Sequence, residues 1–85
     1  MSYHVVIANS AKRDLRRLSS DLQRRIAARL EALKSTSRPA GASKLRNREG
    51  QWRIRVGDYR IIYQIDEDKR LVIILRIKHR REAYR

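Results

Sequence analysis

The sequence predicts an α+β domain in which two N-terminal helices form a hairpin packed on a mainly antiparallel four-stranded sheet, in the order β-α-α-β-β-β. Three observations carry this expectation. From Gln51 to Gln64 apolar and basic residues alternate with period two about Gly57-Asp58, the pattern of a half-buried hairpin with a two-residue turn. Leu22, Ile26, Leu30 and Leu33 recur at spacings of four, four and three, one face of a helix. Leu71 to Leu75 is apolar without alternation, as in a central strand covered on both faces.

Taken in order, Tyr3 to Ala8 is a short run rich in β-branched residues, a first strand. Asn9 or Ser10 then offers the side-chain oxygen expected at a helix N-cap. Leu15 and Leu18 share one side of the first helix, and Ser19-Ser20 breaks it. The second helix is expected to start with Ser20 as cap and Asp21 in its first turn. Ser35 to Gly50, with its Ser, Gly, basic residues and Pro39, reads as a connecting loop. In the hairpin, a loop of Gly57-Asp58 alone sets Val56 opposite Tyr59, Arg55 opposite Arg60, Ile54 opposite Ile61 and Trp52 opposite Tyr63. Trp52, Ile54, Val56, Tyr59, Ile61, Tyr63 and Ile65 then share the buried face, and Arg53, Arg55 and Arg60 the reverse one. Asp66 to Lys69 forms an acidic turn into a last strand, Arg70 to Lys78. A three-residue turn there sets Arg76 opposite Arg60, on the basic face with Lys78, because an unpaired arginine is rarely buried. His79 to Arg85 is a polar tail beside that face.

Eighty-five residues make one domain, 1–85, with a single modest core. Twenty-two Lys and Arg against nine Asp and Glu give a formal charge of +13, which calls for a polyanionic partner and above all nucleic acid. Arginine greatly outnumbers lysine, and its planar fork suits bidentate phosphate contacts. With no cysteine there is no disulfide, thiolate metal site or cysteine nucleophile, and His4 and His79 alone make a poor metal site. No cofactor is expected. No apolar stretch reaches signal-peptide or membrane-spanning length, so the expectation is a cytoplasmic protein without membrane contact.

The chemistry follows from the basic face. Arg53, Arg55, Arg60 and Arg80 are placed to surround one phosphate. Attack of a ribose 2′-hydroxyl on its neighbouring phosphate builds negative charge on the phosphoryl oxygens, which fixed guanidinium groups stabilise without a metal. The same face would serve equally to bind RNA without cutting it. An arginine with a pKa above about 12 is a poor general base, so Tyr84 and His79 are the two candidates for proton transfer. Tyr84 could also stack on a base or cover the core's edge. His4 reads as structural.

WRIRVGDYRIIYQI, the preceding KLR of Lys44 to Arg46, and the ending HRREAYR together resemble the RelE/ParE superfamily of toxins, most closely its RelE branch. The resemblance covers essentially the whole chain and implies a RelE-like fold. It implies a type II toxin that enters the 30S ribosomal A site and cleaves mRNA there, inhibiting translation, neutralised by an acidic cognate antitoxin in a hetero-oligomeric complex. By this resemblance Arg53 and Arg55 hold the phosphate backbone, Arg60 stabilises the transition state, Arg80 stabilises charge or protonates the leaving group, and Tyr84 stacks on or deprotonates the substrate. Well-known members carry lysines at the positions of Arg53 and Arg55, which removes one possible base here and leaves Tyr84 and His79. Lys12, Arg13, Arg16, Arg17, Arg24, Arg25 and Arg29 on the helices would grip ribosomal RNA, with Lys44, Arg46, Arg76, Lys78 and Arg81 adding contacts nearer the message. Ile62, Val72 and Ile74 on the reverse face are expected to receive the antitoxin's amphipathic segment. The alternatives are a ParE-like poison of DNA gyrase and a homologue that binds RNA or antitoxin without catalysis.

Overall fold

The computed structural model describes residues 2–46 and 48–83. Their order is β1 (His4–Ile7), α1 (Asn9–Arg16), α2 (Ser20–Leu33), β2 (Ser43–Lys44), β3 (Gln51–Val56), β4 (Tyr59–Asp66), β5 (Leu71–His79) and α3 (Arg80–Ala83). The strands form one sheet in the order β1-β5-β4-β3-β2, with β1 parallel to β5 and the other pairs antiparallel. The sheet thus has five strands rather than four, because Ser43 and Lys44, read from sequence as loop, pair with Arg53 and Trp52. The first residues of the polar tail form a short helix, α3. Among the described residues no helix is long and apolar enough to cross a membrane.

The β3–β4 hairpin has the register its alternation predicts, from Gln51 opposite Gln64 to Val56 opposite Tyr59. Gly57 takes φ +59, and a positive φ at the first central residue alone matches a II′ turn. One face of the sheet meets α2, whose Ile26, Leu30 and Leu33 are buried with Ile54, Ile61, Tyr63, Val72, Ile74 and Ile77. Tyr63 is fully buried and its hydroxyl donates to the Ser37 carbonyl at 2.8 Å, with burial pushing its pKa up to about 12. Trp52 lies on the same face but only half-buried near the sheet edge, with the Arg38 guanidinium 5.2 Å from its ring centre.

Both helix starts differ from the sequence expectation by a residue or two. Ala8 is the N-cap of α1 and makes no side-chain cap bond, because the Ser10 hydroxyl is engaged elsewhere, donating to the Leu75 carbonyl at 2.7 Å. Ser19, not Ser20, caps α2 by accepting the Leu22 amide at 3.3 Å.

The main departure lies in β5. Tyr63 pairs with Ile74 but Ile62 pairs with Arg76, so Leu75 is the extra residue of a β-bulge. Arg76 therefore sits opposite Ile62, and it is Lys78 that faces Arg60. The bulge also brings Ile74 and Ile77 to the same core, although they are three residues apart. Val72 and Ile74 are fully buried there and cannot receive a partner on the reverse face. Of the three residues expected to do so, only Ile62 is on that face, partly exposed.

Helix α1 explains why the bulge holds. Strand β1 stops where Ile7 meets Ile74, with the Ala8 amide still donating to the Ile74 carbonyl at 2.9 Å. Beyond it β5 would have a bare edge. Ser10 and Asp14, one helical turn apart, take over: Ser10 donates to Leu75 O, and Asp14 accepts the Ile77 amide at 2.8 Å and the Arg76 guanidinium at 2.9 and 3.3 Å. Asp14 is 13% exposed at its side chain. Burial pushes its pKa up, but the hydrogen bonds from Arg76 and Ile77 and the charges of Arg76 and Arg17 outweigh this and hold it below the usual carboxylate range.

A depressed carboxylate pKa contributes stability that is complete above the unfolded value near 4 and is lost as pH falls through the folded value. At pH 7 urea unfolding should show Asp14→Asn about 1.5 to 3 kcal/mol less stable than the wild type. That difference should shrink below about pH 4; a difference unchanged in strong acid would show that the charge is not what matters.

Candidate functional site

On the face of the sheet away from α2, the register sets side chains in rows that cross the strands. One row is Arg55, Arg60 and Lys78, on β3, β4 and β5. The next is Arg53, Ile62 and Arg76. The first row thus sets three cations side by side, which repel one another unless something compensates them. The second is interrupted by Ile62, and its Arg76 is already paired with Asp14.

The first row opens at the hairpin end into a cavity of ≈ 330 Å³ lined by Arg55, Gly57, Asp58, Tyr59, Arg60 and Arg80. Arg80 arrives there by a backbone contact. Its amide donates to the Asp58 carbonyl at 2.7 Å, tying the start of α3 to the hairpin turn. Arg55 and Arg80 are exposed, whereas Arg60, in the middle strand of the row, is only 5% exposed. Its aliphatic stem is thus part of the packed sheet surface as well as the carrier of a charge. Sequence alternation assigns Arg60 a face but carries no sign of this burial, in a strand paired on both sides.

The other residues singled out from sequence are placed as follows. Arg53 is half-buried one row along from Arg55 and does not line the cavity. His79 pairs with Tyr59, ring centres 5.2 Å apart and edge-on, and its Nδ1 accepts the Arg81 amide at 3.3 Å. It caps α3 and does not line the cavity. Tyr84 lies outside the described residues. Of the helix cations, Arg29 donates to the Arg55 carbonyl at 3.2 Å, and the guanidinium of Arg25 lies 3.4 Å from where a β-carbon on Gly57 would be. These two flank the cavity. Lys12, Arg13, Arg16, Arg17 and Arg24 are exposed on the helices, as are Lys44 in β2, Arg46 ahead of β3 and Arg81 in α3.

A second cleft of ≈ 400 Å³ adjoins the second row, between β5 and the loop ahead of β3. Sequence reasoning passed over its Arg48, Gln51 and Leu75. Arg48 and Gln51 sit in or beside a stretch read only as a linker, and the face of Leu75 is hidden by the unbroken apolar run it ends. Two smaller apolar clefts along the seam of α2 and β1 share Ile7, Ala27 and Leu30.

Residues 5–84 match the family described as ParE toxin of type II toxin-antitoxin system, parDE. The chain is 39% identical to toxin RelG of Mycobacterium tuberculosis over 100% of its own length and 99% of that protein. It superposes with TM-score 0.81 and 30% identity on a chain of the toxin-antitoxin complex RelBE2 of Mycobacterium tuberculosis, covering 93% of this chain and 99% of that one. With a chain of the archaeal RelE–RelB complex from Pyrococcus horikoshii the TM-score is 0.84 at 28% identity, covering 94% and 97%. A small α+β domain with a cationic cleft is thus one of the toxins of type II toxin-antitoxin systems. The chain belongs to the RelE/ParE superfamily, in its RelE branch.

The contrast between Arg55 and Arg60 is testable without any substrate. Arg60→Ala should lower the thermal midpoint by about 4 °C or more, the equivalent of about 1 kcal/mol in a domain of this size, and Arg55→Ala should leave it unchanged within error. Equal midpoints for the two variants in scanning calorimetry would remove the packing role assigned to Arg60.

Proposed function

We propose that this protein is a ribosome-dependent endoribonuclease that cuts mRNA in the A site without a metal, and so inhibits translation. The observation that carries the reading is the convergence of Arg55, Arg60 and Arg80 on one cavity at the hairpin end. In the proposed reaction the ribose 2′-hydroxyl attacks the adjacent phosphorus, the bond to the 5′-oxygen breaks, and that oxygen takes up a proton from Arg80 or solvent, leaving a 2′,3′-cyclic phosphate and a 5′-hydroxyl. Arg55 and Arg80 hold the phosphate from either side of Arg60, and the three guanidinium groups meet the charge that grows on the phosphoryl oxygens. Arg53, one row away, would hold the neighbouring phosphate. The proton from the 2′-hydroxyl goes to Tyr84 or His79. His79 Nδ1 accepts an amide in this conformation, which places the proton of the neutral ring on Nε2, so His79 can take up a proton only by giving up that bond.

The helix cations fit a second, non-reacting contact with ribosomal RNA, which positions the cleft on the message. Two of the similar structures are complexes with an antitoxin, the RelBE2 and RelE–RelB pairs. For this chain we infer an acidic antitoxin, since a partner must offset a charge of +13. With Val72 and Ile74 inside the core, the apolar surface left to it includes Ile7 and Ala27 along β1 and α2.

Primer extension on a defined message in a purified translation system containing chelator tests this reading. The wild type should cut within the A-site codon only when ribosomes are present. Arg55→Ala and Arg80→Ala should each lower the cleavage rate by about 10²- to 10³-fold while keeping the fold, and Tyr84→Phe tests the hydroxyl. DNA damage in cells with no cleavage in vitro would favour a gyrase poison instead. A folded protein that does neither would be a binding module.

A further inference from the structure

Lys78 is the member of the first row that the phosphate cavity leaves out. Arg55 and Arg60 line that cavity, whereas Lys78, directly opposite Arg60 in the ladder, lines the second cleft beside Ile62 and Leu75. Opposed residues of an antiparallel pair have β-carbons about 4.5 to 5.5 Å apart, a gap that a lysine's flexible four-carbon stem can cross. The ammonium therefore stands at the border of the two clefts, within reach of a group held over Arg60. Its neighbour Arg76 gives its guanidinium to Asp14, while Lys78 enters no ion pair among the described residues. The strand beneath it is fixed from the core side by Ile77, which is buried and bonded through its amide to Asp14. Lys78 is half-buried, so its stem lies along the sheet and its charge at the tip is left to turn.

An alkoxide is a poor leaving group, and a positioned acid that delivers a proton as the bond breaks contributes typically about 10²- to 10⁴-fold. Arg80 and solvent are two sources of that proton. A guanidinium, with a pKa above about 12, gives one up reluctantly. A lysine ammonium is the stronger acid, and its three donors sit on a point charge that can turn toward an oxygen. Position also favours Lys78. The hairpin turn and the start of α3 close one side of the cavity, where the Arg80 amide meets the Asp58 carbonyl, so a sugar on the open side of a phosphate over Arg60 lies toward Lys78. We propose that Lys78 is a further catalytic residue, the general acid of this reaction: its Nζ gives a proton to the 5′-oxygen as the bond from phosphorus to that oxygen breaks. The neutral amine then regains a proton from solvent, and Arg55, Arg60 and Arg80 hold the phosphate and meet its charge. The inference rests on the chain cutting RNA, as proposed above.

The test compares cleavage of two synthetic messages on programmed ribosomes, identical except that in one a sulfur replaces the bridging 5′-oxygen at the scissile position. A thiolate leaves without a proton, so a variant that has lost only its proton donor recovers on the sulfur message. Lys78→Ala should cut the oxygen message about 10²-fold or more slowly than the wild type, and the sulfur message at close to the wild-type rate. Lys78→Arg keeps the charge but is the poorer acid, and should behave in the same way. Arg55→Ala should be slow on both, because charge grows on the phosphoryl oxygens with either leaving group. Circular dichroism checks the fold of each variant, and Lys78→Arg decides alone where the alanine variant has unfolded. A wild type that cuts neither message overturns the nuclease reading and the role of Lys78 with it. A wild type that cuts both keeps the nuclease, and the proton donor is then overturned by any of three results. These are Lys78→Ala as fast as wild type on oxygen, Lys78→Ala equally impaired on the two messages, or a full rate on oxygen in Lys78→Arg.

Discussion

The arrangement of the reverse face depends on what lies beside β5 after β1 ends. A parallel strand that stops at Ile7 would leave the Leu75 carbonyl and the Ile77 amide bare at the edge of the sheet. Ser10 and Asp14 answer one group each from α1, so the helix completes the ladder with side chains where backbone has run out. Their spacing on the helix is a full turn, while the groups they bind are two residues apart on β5. The extra residue at Leu75 adjusts the strand to that fit. Downstream, the bulge decides which cation faces Arg60 and where Arg80 leaves the sheet.

Charge is distributed along the strands with a direction. Asp66 at the end of β4 and Glu67 and Asp68 in the β4–β5 turn lie at the end of the sheet away from the Gly57 hairpin. Glu67 there takes the Tyr3 hydroxyl at 2.9 Å and the Arg38 guanidinium at 2.7 Å, with Arg70 at 3.9 Å. That cluster ties the start of β1, the loop after α2 and the turn together. These contacts draw its carboxyl below the usual range, the hydrogen bonds from Arg38 and Tyr3 outweighing desolvation. Glu67 is thus engaged at the far end of the sheet, whereas Asp58 lines the cationic cavity itself.

The two ends of the chain were not equally legible. The β3–β4 register could be read residue by residue, because a two-residue turn and a strict period of two leave one solution. In β5 the run LVIIL is apolar at every position, so nothing in it marks which residue is extra, and the partner that fixes the bulge is a carboxylate 62 positions away from Arg76. Arg76 looked from sequence like one more RNA contact, and only the fold shows its pairing. The cap of α1 was misread for a similar reason: Ser10 has good local chemistry for capping, but a tertiary carbonyl competes for it. The cationic cavity was largely visible in WRIRVGDYR, whereas the neighbouring cleft was not, since its Arg48 and Gln51 lie in or beside a stretch without periodicity and meet Leu75 only in the folded sheet.

The contact that delivers Arg80 to the cavity is an amide meeting a carbonyl, Arg80 to Asp58, and the bond to Asp14 that sets β5 is likewise made by the amide of Ile77. The placement of position 80 is therefore indifferent to the side chain it carries. In a type II toxin this leaves the side chain at position 80 open to change with the fold around the cavity kept.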